Sequence, residues 1–215
     1  MQDLKKTTAS KYINRSFEAA YLGNFNFKKA VVLQEDLLKL ALQTNANFVI
    51  GLEHPAVLTL GHRADAAFEV LSHSNLPVER VSRGGLATVH AEGQLVIYPV
   101  LNLRELNLGV RDYVCLLLKT TNDLLISLGV DSFIDESSVG VFTKTGKIAF
   151  CGVQIKNGIS QHGISLNVRN DLSLFKSIRS CGISEPNFDR LCEYNVNMTL
   201  QEVFSRWLEI FRSRF

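Results

Sequence analysis

A hairpin signal between residues 148 and 168 constrains the fold more than any other feature of the sequence. The run Ile148–Ile155 is mostly apolar, Gly163–Val168 alternates apolar with small or polar residues, and Asn157-Gly158 lies between them. An Asn-Gly pair between two strand-like runs is typical of a tight turn that joins antiparallel strands. The loop after the second strand could then carry Cys181 back toward Lys147.

A lysine and a cysteine brought together have a chemical use, because an ammonium group favours the nucleophilic thiolate. A solvated turn lysine and a small buried cysteine would explain the same two residues. Among the other cysteines, Cys115 lies in an apolar helix, Cys151 in an apolar run and Cys192 in a helical-looking segment. No C-x-x-C pair occurs, which favours reduced thiols and a cytoplasmic location.

The composition predicts one domain, residues 1–215, with a sizeable core. Of the 215 residues, 46% are hydrophobic and 20% charged, too few charges for a disordered chain. A net charge of +2 does not suggest nucleic-acid binding. The first residues lack the apolar core of a signal peptide, and no apolar run is long enough to span a membrane. The histidines show no zinc-binding spacing, so no metal is expected.

The pattern of the remaining elements favours an α+β domain with a mixed or antiparallel sheet and helices on its outer face. Helices are predicted over 27–42 after an Asn26 cap, over 111–128 before Gly129, and after a capping box at 199–202. Strands are predicted over 16–22, 48–53, 56–60, 78–81, 95–101, 131–136 and 139–143.

Adjacent glycines follow an arginine at Arg83-Gly84-Gly85. They would let the main chain pass close to a ligand with N–H groups free to face it, while Arg83 could hold an anion or a carbonyl. A β-bulge or a tight turn entering a strand would explain the glycines equally well.

Four segments in this order resemble the lipoyl(octanoyl) transferases, a family within the biotin/lipoate ligase superfamily. They are Glu53–Arg63, Arg83–Leu95, Gly146–Gly152, and His162–Val168 continued by Cys181-Gly182-Ile183. The likeness covers roughly residues 16–204. Glu92 stands where the family usually has Pro, and residues 184–190 depart from a family pattern of Gly and Thr-Ser.

The resemblance implies a large mixed, mostly antiparallel sheet with helices packed against it, and no cofactor. It implies that Cys181 accepts the acyl group and that Lys147 lowers the pKa of that thiol. The acyl pocket would be lined by Arg83, Gly84, Gly85, Leu86, Ala87, Thr88, Val89, His90, Phe150, Cys151, Gly152, His162, Gly163, Ile164 and Ser165. His90 and His162 could be mobile-proton groups or hydrogen-bonding walls.

The resemblance also implies the reaction and its partners. An octanoyl or lipoyl group would move from acyl carrier protein to a lysine of a lipoyl domain, in 2-oxoacid dehydrogenases or the glycine cleavage H protein. The enzyme would be a monomer, with His62, Arg63 and Arg83 as candidates for a basic docking surface. Alternatives are an ATP-dependent lipoate or biotin ligase, a non-catalytic carrier-binding protein, and an amidotransferase between lipoyl domains.

Overall fold

The computed structural model describes residues 17–71, 74–135, 138–178 and 187–215, without the side chains of residues 67 and 68. The described strands are β1 Phe17–Asn24, β2 Asn47–Glu53, β3 Val57–Leu60, β4 Val78–Arg80, β5 Ala87–His90, β6 Gln94–Val100, β7 Phe133–Asp135, β8 Gly140–Phe142, β9 Lys147–Lys156 and β10 Ile159–Asn167. The described helices are α1 Phe27–Thr44, α2 Ala66–Glu69, α3 Val110–Ser127 and α4 Leu200–Arg212, with 3₁₀ turns at Leu172–Ser177 and Leu191–Tyr194.

The larger sheet has seven strands in the order β1-β2-β6-β10-β9-β8-β7. Strands β1 and β2 are parallel, and the other neighbours are antiparallel. The predicted α+β class, with a large mixed and mostly antiparallel sheet, is confirmed. A second sheet, β4-β3-β5, was not predicted as a separate sheet. Local alternation identifies strands, but it does not show that the chain changes sheets between β2 and β3.

The predicted hairpin is present and joins β9 to β10. Asn157 and Gly158 have φ values of 55° and 87°, and Lys156 is paired with Ile159 across the turn. Two successive positive φ angles fit the right-handed twist of the flanking strands, which explains the Asn-Gly pair. Strand β10 begins at Ile159, four residues before the predicted start at Gly163. Because β10 lies between β6 and β9, the hairpin forms the centre of the larger sheet.

Helices cover both faces of this sheet. Adjacent residues of β2 show the alternation, since Val49 packs in the cluster with α3 and α4, and Ile50 packs in the cluster with α1. On the first face the fully buried Trp207 of α4 donates from Nε1 to Thr121 Oγ1 of α3 at 2.9 Å. The second sheet contributes its own apolar cluster, which includes Phe150 of β9.

The predicted helix caps are confirmed. Asn26 Oδ1 accepts the N–H of Lys29 at the start of α1. At the start of α4, Thr199 Oγ1 accepts the N–H of Glu202, and the Glu202 carboxylate accepts the N–H of Thr199. These contacts satisfy amide groups that have no partner within the helix. The six buried side chains of α4 thus enter the core at a fixed register.

Replacing the cap residue should lower stability. For Thr199→Ala we expect a loss of about 1 kcal/mol in the free energy of unfolding, because a cap amide loses its acceptor. Thr199→Ser keeps the acceptor and should remain within a few tenths of the parent. Urea unfolding followed by the fluorescence of Trp207 measures both. Equal losses in the two variants would contradict the capping role.

Candidate active site

A cavity of about 510 Å³ lies where β9 and β10 meet the Arg83 loop and the second sheet. Its wall contains Lys147 together with all of the residues predicted to line an acyl pocket except Val89: Arg83, Gly84, Gly85, Leu86, Ala87, Thr88, His90, Phe150, Cys151, Gly152, His162, Gly163, Ile164 and Ser165. Val89 is only 1% exposed and packs with Leu58 and Leu60 in the core of the second sheet. Strand alternation explains this, since Thr88 and His90 are its neighbours and line the cavity.

Other wall residues were not predicted from the sequence. They are Phe27, Arg63, Val96, Tyr98, Val110, Val114, Ser138, Val139 and Val153. Val114 was assigned to the buried face of α3, and 54% of Val110 is exposed at the start of that helix. The available sequence signal was Val110, an apolar residue at the start of α3. Single apolar residues at the surface are common, so this signal does not point to a ligand.

Arg83 is a buried cation whose two Nη atoms donate to Thr59 and Gly84, while its Nε atom is buried without a hydrogen-bond partner among the described residues. Its Nη2 atom donates to Thr59 O and Thr59 Oγ1, both at 2.9 Å, and Nη1 donates to Gly84 O at 3.0 Å. Burial lowers the pKa of Arg83 to about 10, so the guanidinium remains charged at neutral pH. Arg83 was predicted to hold an anion or a carbonyl of a ligand, and in the structure its Nη atoms bind carbonyls of the protein itself. At 8% exposure it cannot belong to a docking surface with His62 and Arg63, which are exposed.

The two glycines after Arg83 allow the loop to approach strand β9 closely. Gly84 donates its N–H to Val153 O of β9 at 2.9 Å. This N–H is therefore not free to face a ligand, which corrects the expectation from the sequence. Gly85 has a φ of 89°, a conformation that favours glycine. A Cβ atom at Gly152 would lie 3.2 Å from Gly84 O, so β9 and the loop meet where side chains are absent.

Lys147 is a second buried cation in the cavity wall. Its Nζ donates to Ser138 O at 2.7 Å and lies 5.1 Å from the ring centre of Phe150 and 5.3 Å from that of Phe142. The side chain is 9% exposed in total. A Cβ atom at Gly140 would lie 2.3 Å from Lys147 Cε, so this glycine makes room for the lysine stem. The ammonium position is thus defined by a carbonyl, two aromatic faces and a glycine.

The predicted nucleophile, Cys181, lies outside the described residues, in the gap 179–186. The described chain resumes beside Lys147. Lys147 donates its N–H to Asn187 O at 2.9 Å, and Asp189 donates its N–H to Lys147 O at 3.0 Å. Asn187 follows Cys181 by six residues in the sequence.

Cys151 also lines the cavity, but it is a poor nucleophile. Burial raises the pKa of its thiol to about 12, and the nearby positive charge of Lys147 offsets only part of that rise. At neutral pH this thiol is protonated and chemically resembles a small apolar side chain. Of the other described cysteines, Cys115 is half-buried and Cys192 is exposed, and neither belongs to the cavity wall.

Three histidines lie close together, since His54 and His162 are next to Tyr98 and His90 is next to His54. His54 is fully buried, with Nδ1 2.6 Å from Phe25 O and Nε2 2.9 Å from the hydroxyl of Tyr98. Burial lowers the pKa of His54 and of His162 to about 4, and that of His90 to about 3. All three rings are neutral at physiological pH. These pKa values favour the alternative in which His90 and His162 are hydrogen-bonding walls over the one in which they are mobile-proton groups.

Within the described part of the chain, no group of three or more His, Cys, Asp and Glu side chains is arranged to hold a metal ion. Its helices are also too short or too polar to cross a membrane.

Asp189 anchors the returning chain, and sequence reasoning missed it. Its buried carboxylate accepts hydrogen bonds from the hydroxyls of Thr143 and Tyr194 and from the N–H of Arg190. Its carbonyl accepts from Asn167 Nδ2 at 3.0 Å. Asp189 lies within the stretch that departs from the family pattern, and that departure was the available signal.

Removing the Asp189 carboxylate should destabilise the protein. Asp189→Leu leaves two hydroxyls without an acceptor, and we expect it to cost about 1–3 kcal/mol. Asp189→Asn retains one acceptor oxygen and should cost less. Urea unfolding measures both, with the exposed Glu193→Gln as a control. If Asp189→Leu were as stable as the control, the anchoring role would be wrong.

The fold and the cavity first define a class, the lipoate and biotin protein ligase fold. The chain superposes with a TM-score of 0.73 on a crystal structure described as lipoate-protein ligase A bound with ATP, over 91% of this chain and 84% of that one. Only 16% of the aligned residues are identical, so the likeness concerns the fold.

The family follows from the sequence comparisons. The family model "Lipoyl protein ligase A/B catalytic domain" matches residues 26–212. An octanoyltransferase of Dichelobacter nodosus (strain VCS1703A) is 38% identical over 165 residues, 76% of this chain and 82% of that protein. An octanoyltransferase of Dechloromonas aromatica (strain RCB) is 33% identical over 181 residues, 84% of this chain and 88% of the relative. The chain belongs to the lipoyl protein ligase A/B catalytic domain family, and the resemblance inferred from its four segments is confirmed.

Proposed function

We propose that this protein is an octanoyltransferase that works through a thioester on Cys181. The octanoyl group comes from acyl carrier protein and ends on a lysine of a lipoyl domain, the first step of endogenous protein lipoylation. One observation carries the proposal: Lys147 is a buried ammonium in a cavity wall, and the chain returns to it six residues after Cys181. The names of the relatives support the octanoyl group as the cargo.

In the first step, the Cys181 thiolate attacks the carbonyl carbon of the donor thioester. The new carbon–sulfur bond forms on the enzyme, the donor's carbon–sulfur bond breaks, and the carrier leaves as a thiolate that takes up a proton. One thioester replaces another, so the step needs no ATP. It does require Cys181 as a thiolate, and free cysteine, with a pKa near 8.5, is mostly protonated at neutral pH.

Lys147 supplies the charge that favours the thiolate. Its Nζ donates to Ser138 O, and its Coulomb attraction for a thiolate acts over several ångströms. Lys147 gives its proton to the departing carrier thiolate, so in the second step its neutral amine takes the proton that the acceptor lysine loses as it attacks the acyl-enzyme. Amide formation then releases Cys181 and drives the reaction forward.

The cavity suits a medium-length apolar chain. Its volume of about 510 Å³ lies in the usual range for small-molecule sites. Burying the methylenes of an octanoyl chain, at about 0.8 kcal/mol each, contributes roughly 5 kcal/mol. The neutral histidines and protonated Cys151 add no charge against that chain. A reduced cysteine nucleophile also fits a cytoplasmic enzyme, with residues 1–215 acting as one catalytic domain.

The second candidate function is an ATP-dependent ligase, favoured by the shared fold. A ligase must hold phosphates, and free N–H groups of a glycine-rich loop are a common means. Here the N–H of Gly84 is bonded to Val153 O, and Arg83 is bonded to Thr59 and Gly84 O. These contacts leave little of the loop for a triphosphate, so we favour the transferase.

The direct test is the mass of the intact protein after mixing with octanoyl-acyl carrier protein without ATP. We expect one octanoyl adduct that maps to Cys181, is released by hydroxylamine, and passes to a lipoyl domain when that is added. Cys181→Ala should form no adduct and transfer nothing, whereas Cys151→Ala should still form the adduct, because the Cys151 thiol is protonated and is not the nucleophile. An adduct on Cys151, or labelling that occurs only with ATP, would overturn the proposal.

Lys147→Met should raise the pKa of Cys181 and slow its acylation at neutral pH. Methionine keeps an unbranched stem and removes the charge. A depression of about two pKa units by the lysine would correspond to about 2.7 kcal/mol and to a change from a few per cent thiolate to most of the population. The pH dependence of iodoacetamide alkylation at Cys181 in both proteins measures the difference. Superimposable curves would mean that lysine and thiol are not coupled, and the exposed Cys192 is the internal control.

A further inference from the structure

A chain of buried hydrogen bonds leads from the cavity wall to the anchor at Asp189. His90 Nδ1 lies 2.7 Å from Gln94 Oε1. Gln94 Nε2 donates to Asn167 Oδ1 at 2.9 Å and to Val89 O at 3.4 Å, and Asn167 Nδ2 donates to Asp189 O at 3.0 Å. Gln94 and Asn167 are fully buried. We call these two side chains the amide relay.

The relay has one consistent orientation, because both ends meet main-chain carbonyls. A carbonyl can only accept, so the atom of Asn167 that faces Asp189 O must be the NH₂ group. The side-chain oxygen of Asn167 then faces Gln94, so the atom of Gln94 that lies next to it must be the NH₂ group. That group also faces the carbonyl of Val89, a second and independent constraint. Asn170 Nδ2 donates to the same Asn167 oxygen at 3.1 Å.

The orientation of Gln94 decides which nitrogen of His90 carries the proton. Gln94 presents an oxygen to Nδ1, so Nδ1 must be the N–H donor. In a neutral imidazole the other nitrogen, Nε2, then holds a lone pair. Nε2 has no hydrogen-bond partner among the described residues. It does not belong to the side-chain atoms that are both without a partner and fully shielded from solvent. It is therefore open to the cavity, which His90 lines.

The surroundings of His90 keep the ring neutral. The ring stacks at 6.1 Å on Phe27 and meets His54 edge to face at 5.7 Å. Burial is the largest cause that lowers the pKa of His90, followed by repulsion from His54, with smaller contributions from Arg83 and His162. The hydrogen bond to Gln94 opposes this fall only in part.

We propose that Gln94 and Asn167 are positioning residues that hold His90 as a fixed hydrogen-bond acceptor, with Nε2 directed at a substrate N–H group. The proposal rests on the proposed function, which supplies two such groups. One is the amine of the acceptor lysine, and the other is an amide N–H of the arm that carries the octanoyl thioester.

This assignment also says what His90 does not do. A nitrogen with a lone pair cannot donate to the oxyanion of a tetrahedral intermediate, and it cannot protonate a leaving thiolate. Its contribution is to orient the substrate. An amine N–H bound to Nε2 would direct the lone pair of that amine, and an amide N–H bound to Nε2 would direct the neighbouring thioester. The buried relay provides the rigid support that such a contact requires.

The tautomer can be measured without any substrate. In protein with ¹⁵N-labelled histidine, the His90 signals are identified as those missing from His90→Phe. We expect Nδ1 to have the shift of a protonated ring nitrogen and Nε2 that of an unprotonated one, unchanged from about pH 5 to about pH 8. A proton on Nε2, a mixture of tautomers, or titration within that range would overturn the proposal.

Two variants of similar size test the relay. Gln94→Met removes the acceptor and should allow the Nε2–H tautomer to appear. Gln94→Glu keeps an acceptor at Nδ1, so the tautomer should be retained, while the added carboxylate should raise the pKa of His90. A merely structural role would not separate the two variants in this way. The same spectrum in Gln94→Met as in the parent would contradict the relay.

Single-turnover kinetics of His90→Phe identify the N–H group. A lost hydrogen bond of this kind should slow the affected half-reaction about three- to tenfold. Slower transfer to the lipoyl domain with unchanged acylation identifies the acceptor amine, and slower acylation identifies the donor arm. If neither rate changes, the acceptor role is wrong. Failure of the parent protein to transfer octanoyl would instead reject the proposed function and leave the tautomer measurement unaffected.

Discussion

Two main-chain hydrogen bonds between Lys147 and the residues Asn187 and Asp189 are the contact on which the rest of the site depends. They join the first residue of β9 to the chain that follows the gap 179–186. Lys147 N–H and C=O are both used, so the lysine main chain is fixed on one side by this pairing and on the other by the sheet. The side chain then enters the cavity wall over Gly140, where any larger residue would meet its stem. Asp189 extends the same contact in two directions, to Thr143 and Tyr194 through its carboxylate and to Asn167 through its carbonyl.

Burial has a large effect on the chemistry of the cavity. The two buried cations, Arg83 and Lys147, are held by main-chain carbonyls and aromatic faces. A buried charge without hydrogen bonds would be very costly, and these contacts reduce the cost while keeping the charge. The histidines differ from these two cations, because burial lowers their pKa values and makes them neutral. The wall therefore offers fixed donors and acceptors, neutral histidines and the two buried cations Arg83 and Lys147.

The sequence was most informative where a local signal has a local cause. The Asn157-Gly158 turn, the Asn26 cap and the Thr199–Glu202 box each depend on neighbouring residues, and the structure has all three. The motif residues predicted to line a pocket, with the exception of Val89, line one cavity, because three strands and a loop bring distant segments together. Tyr98, Val110 and Val139 were missed because only the packing of β6, α3 and the β7–β8 turn places them there. The low pKa of His90 favours a hydrogen-bonding wall over a proton-transfer role, and the sequence could not show this, because that pKa is set by burial among residues distant in sequence.

A shared fold does not decide between an ATP-dependent ligase and a thioester transferase, and the local contacts are more informative. In this chain the Arg83 loop is bonded to the edge of β9 through Gly84, and the guanidinium is bonded to Thr59 of β3. The loop thereby connects the second sheet to the larger sheet beside the cavity. An arginine with these contacts contributes to the shape of the wall. A thioester donor needs no phosphate-binding group, because its acyl group is already activated. In the proposed mechanism the charge that favours the thiolate comes from Lys147, whose main chain is hydrogen-bonded to the returning chain at Asn187 and Asp189.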